Sequence, residues 1–103
     1  MFGILHADGS GETDPPIDAL SSLYDELLTT DAEHSDASVI DDRTAWCLSA
    51  YRDGRVILGN LQGGGDRHML SVPKEQVLDM WRKIATGDIE GVLAEPWQPG
   101  LRT

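Results

Sequence analysis

The dipeptide Asp53-Gly54 separates two apolar runs, residues 44–52 and 55–61, and narrows the possible folds of this chain more than any other feature. Asp-Gly in that setting is a hairpin signature, because a two-residue type I′ turn needs positive φ at both central residues. With such a turn Arg52 lies opposite Arg55, Tyr51 opposite Val56, Ala50 opposite Ile57, Ser49 opposite Leu58 and Trp46 opposite Leu61. Side chains alternate between the two faces of a strand. One face then carries Trp46, Leu48, Ala50, Ile57 and Leu61, with Gly59 leaving room beside Leu48, and reads as a core face. The other carries Cys47, Ser49, Tyr51, Val56, Leu58 and Asn60, a mixture suited to an antiparallel sheet covered on one side only.

A second reversal follows at Gln62-Gly63-Gly64-Gly65-Asp66, and Arg67 to Val72 can return as a third strand. Its register stays open, since a one-residue shift exchanges Met69 and Leu70 between faces. The three glycines lead into a strand rather than a helix N-terminus and lack a Gly-Lys-Ser/Thr ending. They read as a flexible turn and not as a phosphate loop. Phe2 to His6 and Val39-Ile40 are candidates for further short strands.

Two helices flank this unit. Asp14-Pro15-Pro16 suits a helix start, with Asp14 as N-cap and proline in the first turn. Ile17, Leu20, Tyr24, Leu27 and Leu28 recur at helical spacing, widened by Leu23, up to Thr29-Thr30. Pro73 opens the second helix, PKEQVLDMWRKIATG, whose inner stripe is Val77, Trp81 and Ile84, flanked by Leu78, Met80 and Ala85. Gly87 suits the left-handed position after its end. Asp88 can cap a short helix over Ile89–Ala94, stopped by Pro96, with Trp97 and Leu101 folding back on the core. The expected architecture is one α+β domain over residues 1–103: an antiparallel sheet of three to five strands with the two main helices packed on one face. Its expected core is Trp46, Leu48, Ile57, Trp81, Ile84, Ile17, Leu20 and Leu27.

Charge is segregated along the chain. The net charge is −10, and residues 1–42 hold eleven of the eighteen carboxylates and none of the eight lysines and arginines. That balance argues against nucleic acid or an anionic membrane as a direct partner; it suits a protein partner with a basic surface and equally suits acidity that only keeps the domain soluble. No apolar run approaches the length of a bilayer span. The segment MFGILHADGSGE has no basic region, long apolar region or cleavage site, so a cytoplasmic location is expected. Cys47, the single cysteine, excludes an internal disulfide and reads as a small half-buried side chain rather than a nucleophile.

Candidate chemistry is sparse. Asp8-x-Ser10-x-Glu12 has the opening spacing of a calcium loop, but Thr13 and Ala19 stand where glycine and the final glutamate are required. Asp31, Glu33, His34 and Asp36 are metal-ligand types in a stretch without regular structure to converge them, and a solvated loop is expected. No nucleophile elbow, paired-histidine zinc motif or nucleotide fingerprint occurs. No catalytic, cofactor or metal role is therefore assigned, and the chain is read as a non-enzymatic binding domain. Two alternatives stand beside it. One is a small enzymatic or ligand-binding domain using a sheet–helix cleft with Asp41, Asp42, His68 and Cys47. The other is an acidic inhibitor that mimics nucleic acid.

From Trp46 to Trp97 the chain carries a tryptophan-containing strand (AWCLSAY), a glycine turn into a second strand (DGRVILGN), and Val72-Pro73-Lys74-Glu75 opening a helix. That helix ends in Ala85-Thr86-Gly87-Asp88, and Glu95-Pro96-Trp97 closes the segment. In this half it resembles the small acidic immunity proteins of bacterial polymorphic toxin systems. The resemblance implies a non-enzymatic inhibitor that occludes a toxin's active site, and it assigns no residue. The charge layout does: Asp25, Glu26, Asp31 and Glu33 are expected to steer a basic partner, with Tyr51 and Leu58 on the mixed face as apolar anchors.

Overall fold

The structure is a computed structural model that describes residues 2–6, 10–29, 36–63 and 66–99. Its centre is an antiparallel sheet in the order β2-β1-β3-β4-β5-β6-β7. The strands are β1 (Phe2–Leu5), β2 (Gly11–Thr13), β3 (Asp36–Asp41), β4 (Trp46–Tyr51), β5 (Val56–Asn60), β6 (Arg67–Met69) and the two-residue β7 (Gln98–Pro99). The helices are α1 (Ala19–Thr29), α2 (Lys74–Thr86) and α3 (Ile89–Leu93). The α+β class is as expected, but the sheet exceeds three to five strands. The additions are its two edges, β2 and β7, which carry no apolar alternation of their own. They are strands because β1 and β6 offer them an open ladder.

The β4–β5 turn differs from the expected one by a single residue. Tyr51 N–H donates to Arg55 O at 2.8 Å and Gly54 N–H to Tyr51 O at 3.0 Å, which makes a three-residue loop of Arg52, Asp53 and Gly54. Gly54 alone takes the left-handed conformation (φ 93°), and the Asp53 carboxylate accepts from Arg55 N–H at 3.0 Å. This is the type I turn followed by a left-handed residue that three-residue hairpins favour. Ala50 now faces Val56, Leu48 faces Leu58 and Trp46 faces Asn60. One residue of slip turns every side chain of β5 over. Val56 and Leu58 lie in the core at 0% exposure, whereas Ile57 points to the other face and Leu61 is exposed.

Strand β6 continues this register. Met69 sits opposite Val56 and is buried, His68 sits opposite Ile57, and Leu70 lies beyond the strand, exposed. The strand is shorter than Arg67–Val72 because Ser71 turns to a positive φ of 56°. Val72 N–H then donates to Gly54 O at 2.8 Å, pinning the β4–β5 turn to the start of α2.

Helix α2 follows its sequence pattern. Val77, Met80, Trp81, Ile84 and Ala85 are buried, and Gly87 ends the helix in the left-handed conformation (φ 83°) with its N–H on Ile84 O. Asp88 caps α3 by accepting from Gly91 N–H at 3.1 Å.

Helix α1 starts later than expected, at Ala19, so Asp14 is not its N-cap. Asp14 instead takes a positive φ of 49°, and its carboxylate accepts from Phe2 N–H at 3.0 Å, tying down β1. Outside the helix, Ile17 is 43% exposed, and Leu28 is on the water side; the buried stripe is Leu20, Leu23, Tyr24 and Leu27. Helix α2 packs on β1, β3 and β4 with α1 beside it, and α3 packs on α2. The core is one cluster between these helices and the sheet face carrying Phe2, Ile4, Ala37, Val39, Leu48, Ala50, Val56 and Leu58. Trp46 is half-buried at its margin. Among the described residues no helix is long and apolar enough to cross a membrane.

Candidate functional site

Strand alternation assigns a second set of side chains to the face opposite the helices. From the register these are Leu5 on β1, Asp36, Ser38 and Ile40 on β3, Cys47, Ser49 and Tyr51 on β4, Ile57 on β5 and His68 on β6. Its middle is the pair Ser38 Oγ and Ser49 Oγ, 2.7 Å apart and bonded to each other across β3 and β4, set among Leu5, Ile40, Cys47 and Ile57. Each hydroxyl thereby gains a partner where water is partly shut out.

Two residues here register the charge around them. Burial raises the Cys47 thiol above its ordinary value, and the Asp36 and Asp66 carboxylates push it the same way, against hydrogen bonds from Ser49 and Ser38. A thiol held protonated is a poor nucleophile. Burial also raises the Tyr51 phenol, Asp36 and Asp53 add to the shift, and Arg55 opposes it from 4.1 Å over the ring. This face is therefore rimmed by Asp36, Asp53 and Asp66, with Arg55 as a counterweight at one end.

Beside Cys47 the face dips into a depression of about 190 Å³ lined by Ser49, Ile57, Gly59, Asn60, Leu61 and Asp66. Gly59 creates it: a Cβ there would meet Asp66 Oδ1 at 2.7 Å, so only glycine lets that carboxylate lie over β5 as it does. Pockets for drug-sized ligands run to about 300–1,000 Å³ and are mostly enclosed. This hollow has room for a protruding side chain.

The described residues among those expected to meet a partner, Asp25, Glu26, Tyr51 and Leu58, do not form one patch. Asp25 and Glu26 are exposed on α1, on the helix side of the sheet. Lys74 Nζ donates to Asp25 at 3.3 Å, and Glu26 accepts from His6 at 2.9 Å. Asp31 and Glu33 lie outside the described residues, as do Asp8 and His34. Tyr51 is on the helix-free face, half-buried. Leu58 is corrected: at 0% exposure it is core, and Ile57 occupies the outward position beside Tyr51's strand.

The groups named for an enzymatic cleft are also divided. Asp41 is 3% exposed, and its carboxylate accepts from Thr44 Oγ1–H at 2.6 Å and Arg43 N–H at 3.2 Å. Cys47 and His68 belong to the opposite face. Among the described residues no group of three or more His, Cys, Asp or Glu side chains is arranged to hold a metal ion.

His6, to which the sequence assigns no role, bonds to two carboxylates from separate segments, Glu12 and Glu26. The available signal was parity: Phe2, Ile4 and His6 alternate onto one side of β1, the side that faces the helices. Comparison of the chain with family models, curated proteins and solved structures finds no significant match.

Proposed function

We propose that this chain is a protein-binding domain that neutralises a partner with a basic surface, in the manner of the bacterial immunity proteins its second half resembles. The observation that supports this reading is the sheet face that no described helix covers, where Leu5, Ile40, Cys47 and Ile57 surround the Ser38–Ser49 pair and carboxylates stand at the rim. Antiparallel sheets tolerate one solvated face, but that face is usually polar. A mainly apolar patch whose polar pair is internally bonded, edged by charge, has the layout of an interface, where a desolvated centre holds the partner and the rim directs the approach. Tyr51 and Ile57 serve as anchors in this reading. The net charge of −10 supplies attraction toward a cationic partner, to which Asp25, Glu26, Asp31 and Glu33 contribute at long range.

Affinity capture from the native cell, followed by expression of each captured protein alone, tests the reading. The expected result is a captured protein that arrests growth and is relieved by this chain, with relief lost in Ile57→Asp and Tyr51→Ala. A toxic partner still bound and neutralised by both folded variants would remove the sheet face from the account. Captured proteins that show no toxicity would remove neutralisation.

A further inference from the structure

We propose that His6, Glu12 and Glu26 form a pH-operated clasp that fastens the β1–β2 edge of the sheet to α1 when the imidazole is protonated and releases it on deprotonation. The three side chains come from separate segments. His6 follows β1, Glu12 lies on the edge strand β2, and Glu26 lies in the middle of α1. Nε2–H donates to Glu12 Oε2 in a short hydrogen bond, and Nδ1–H donates to Glu26 Oε1 at 2.9 Å, with Oε2 at 3.0 Å.

A neutral imidazole has one N–H, and an ionised carboxylate only accepts. Both contacts are therefore satisfied together only by the imidazolium. The ring side chain is 16% exposed while the two carboxylates are about half exposed, so the cation sits inside and the anions reach toward water.

Among the described residues the charged groups acting on His6 are Glu12 from β2 and Glu26 from α1. The hydrogen bond to Glu12 has the largest effect, burial opposes it, Glu26 adds to it, and the net result is a value raised above 6.5. The sign follows. The clasp contributes fully below about pH 6.5, where even the unfolded chain's histidine is protonated. The contribution is lost as pH rises through the raised folded value. Above it one carboxylate faces a ring lone pair, and two uncompensated anions remain between β2 and α1. Strand β2 is the element to yield, since all three of its residues are exposed and, among the described strands, it pairs with β1 alone.

The test is an NMR titration of the intact chain, following the His6 ring and the amide protection of His6 and Asp14. Those two N–H groups bond to Ser10 O at 2.7 Å and Phe2 O at 2.8 Å, one at each end of the β1–β2 pairing. A His6 midpoint above 6.5 is expected, lowered by Glu12→Gln and by Glu26→Gln, both exposed isosteric changes that leave the core intact. Protection of both amides, corrected for intrinsic exchange, is expected to fall severalfold across the midpoint, and to change little over that range in the doubly substituted chain. A midpoint at or below 6.5 overturns the clasp. A raised midpoint with unchanged protection overturns the release.

Discussion

The indole Nε1–H of Trp81 donates to the main-chain carbonyl of Leu48 at 3.0 Å, deep in the core. Helix α2 is thereby fixed to the central strand by a directional bond as well as by contact. The Tyr24 ring meets the same indole edge-on at 6.2 Å, so α1 is set against the same side chain. Replacing Trp81 with alanine is expected to cost about 3–5 kcal/mol, as large buried aromatics do. Trp81→Phe keeps much of the packing but removes the donor, and about 1–3 kcal/mol is expected for that loss. Urea unfolding of the two variants measures both. A phenylalanine variant as stable as the parent would show that the hydrogen bond contributes nothing net.

The β5 register makes a paired prediction. Leu58→Ala removes a core side chain and is expected to cost about 2–5 kcal/mol. Ile57→Ala, one residue away on the half-exposed face, is expected to cost about 1 kcal/mol or less. Reversed magnitudes in thermal or urea unfolding would restore the two-residue turn and overturn the assigned faces.

Two glycines should respond differently to alanine. At Gly54 φ is 93° and a Cβ would lie 3.3 Å from the Ser71 backbone, so Gly54→Ala is strained whatever the side chains do. A left-handed conformation in an L-residue costs roughly 1–2 kcal/mol. At Gly59 the clash is with the carboxylate of exposed Asp66, which can swing away. Stability is then expected to stay within about 1 kcal/mol, while the depression beside Cys47 fills. Equal losses at the two sites would show that Asp66 is held in place.

Thiol chemistry gives a test independent of any partner. Burial and neighbouring carboxylates raise Cys47, so its alkylation rate in the folded chain is expected to climb with pH and to inflect only above 9.0, the ordinary thiol value. A rate-against-pH profile that levels off near neutrality would mean an activated thiolate and would reopen the enzymatic reading.

How far the sequence was legible can be followed residue by residue. Helix α2 was fully readable because Pro73, the Val77–Trp81–Ile84 stripe and Gly87 all agree. The β4–β5 hairpin was readable in kind but not in register. Asp-Gly serves a two-residue turn and a three-residue one equally well, and the choice between them sets whether Leu58 or Ile57 faces the core. Asp14 misled because a carboxylate before two prolines suits a helix cap, whereas here it holds the Phe2 amide twelve residues back. Strands β2 and β7 were hidden because an edge strand is defined by its neighbour's open ladder. For the candidate site, charge segregation along the chain was visible. Which β5 side chain joins Tyr51 on the outer face was not, since that depends on the single residue of slip at Gly54.

The strand order has a kinetic consequence. Strands β3, β4, β5 and β6 are adjacent in space in the order of synthesis, so their pairing closes only short loops. Strand β1 must instead find β3 across α1 and the segment that follows it, a closure of some thirty residues whose entropic cost is larger. Local pairing of this kind favours rapid folding. The meander and α2 are thus expected to form the nucleus, and substitutions in β1 to act mainly on the unfolding rate. The acidic first third of the chain would then dock late, onto a sheet already built.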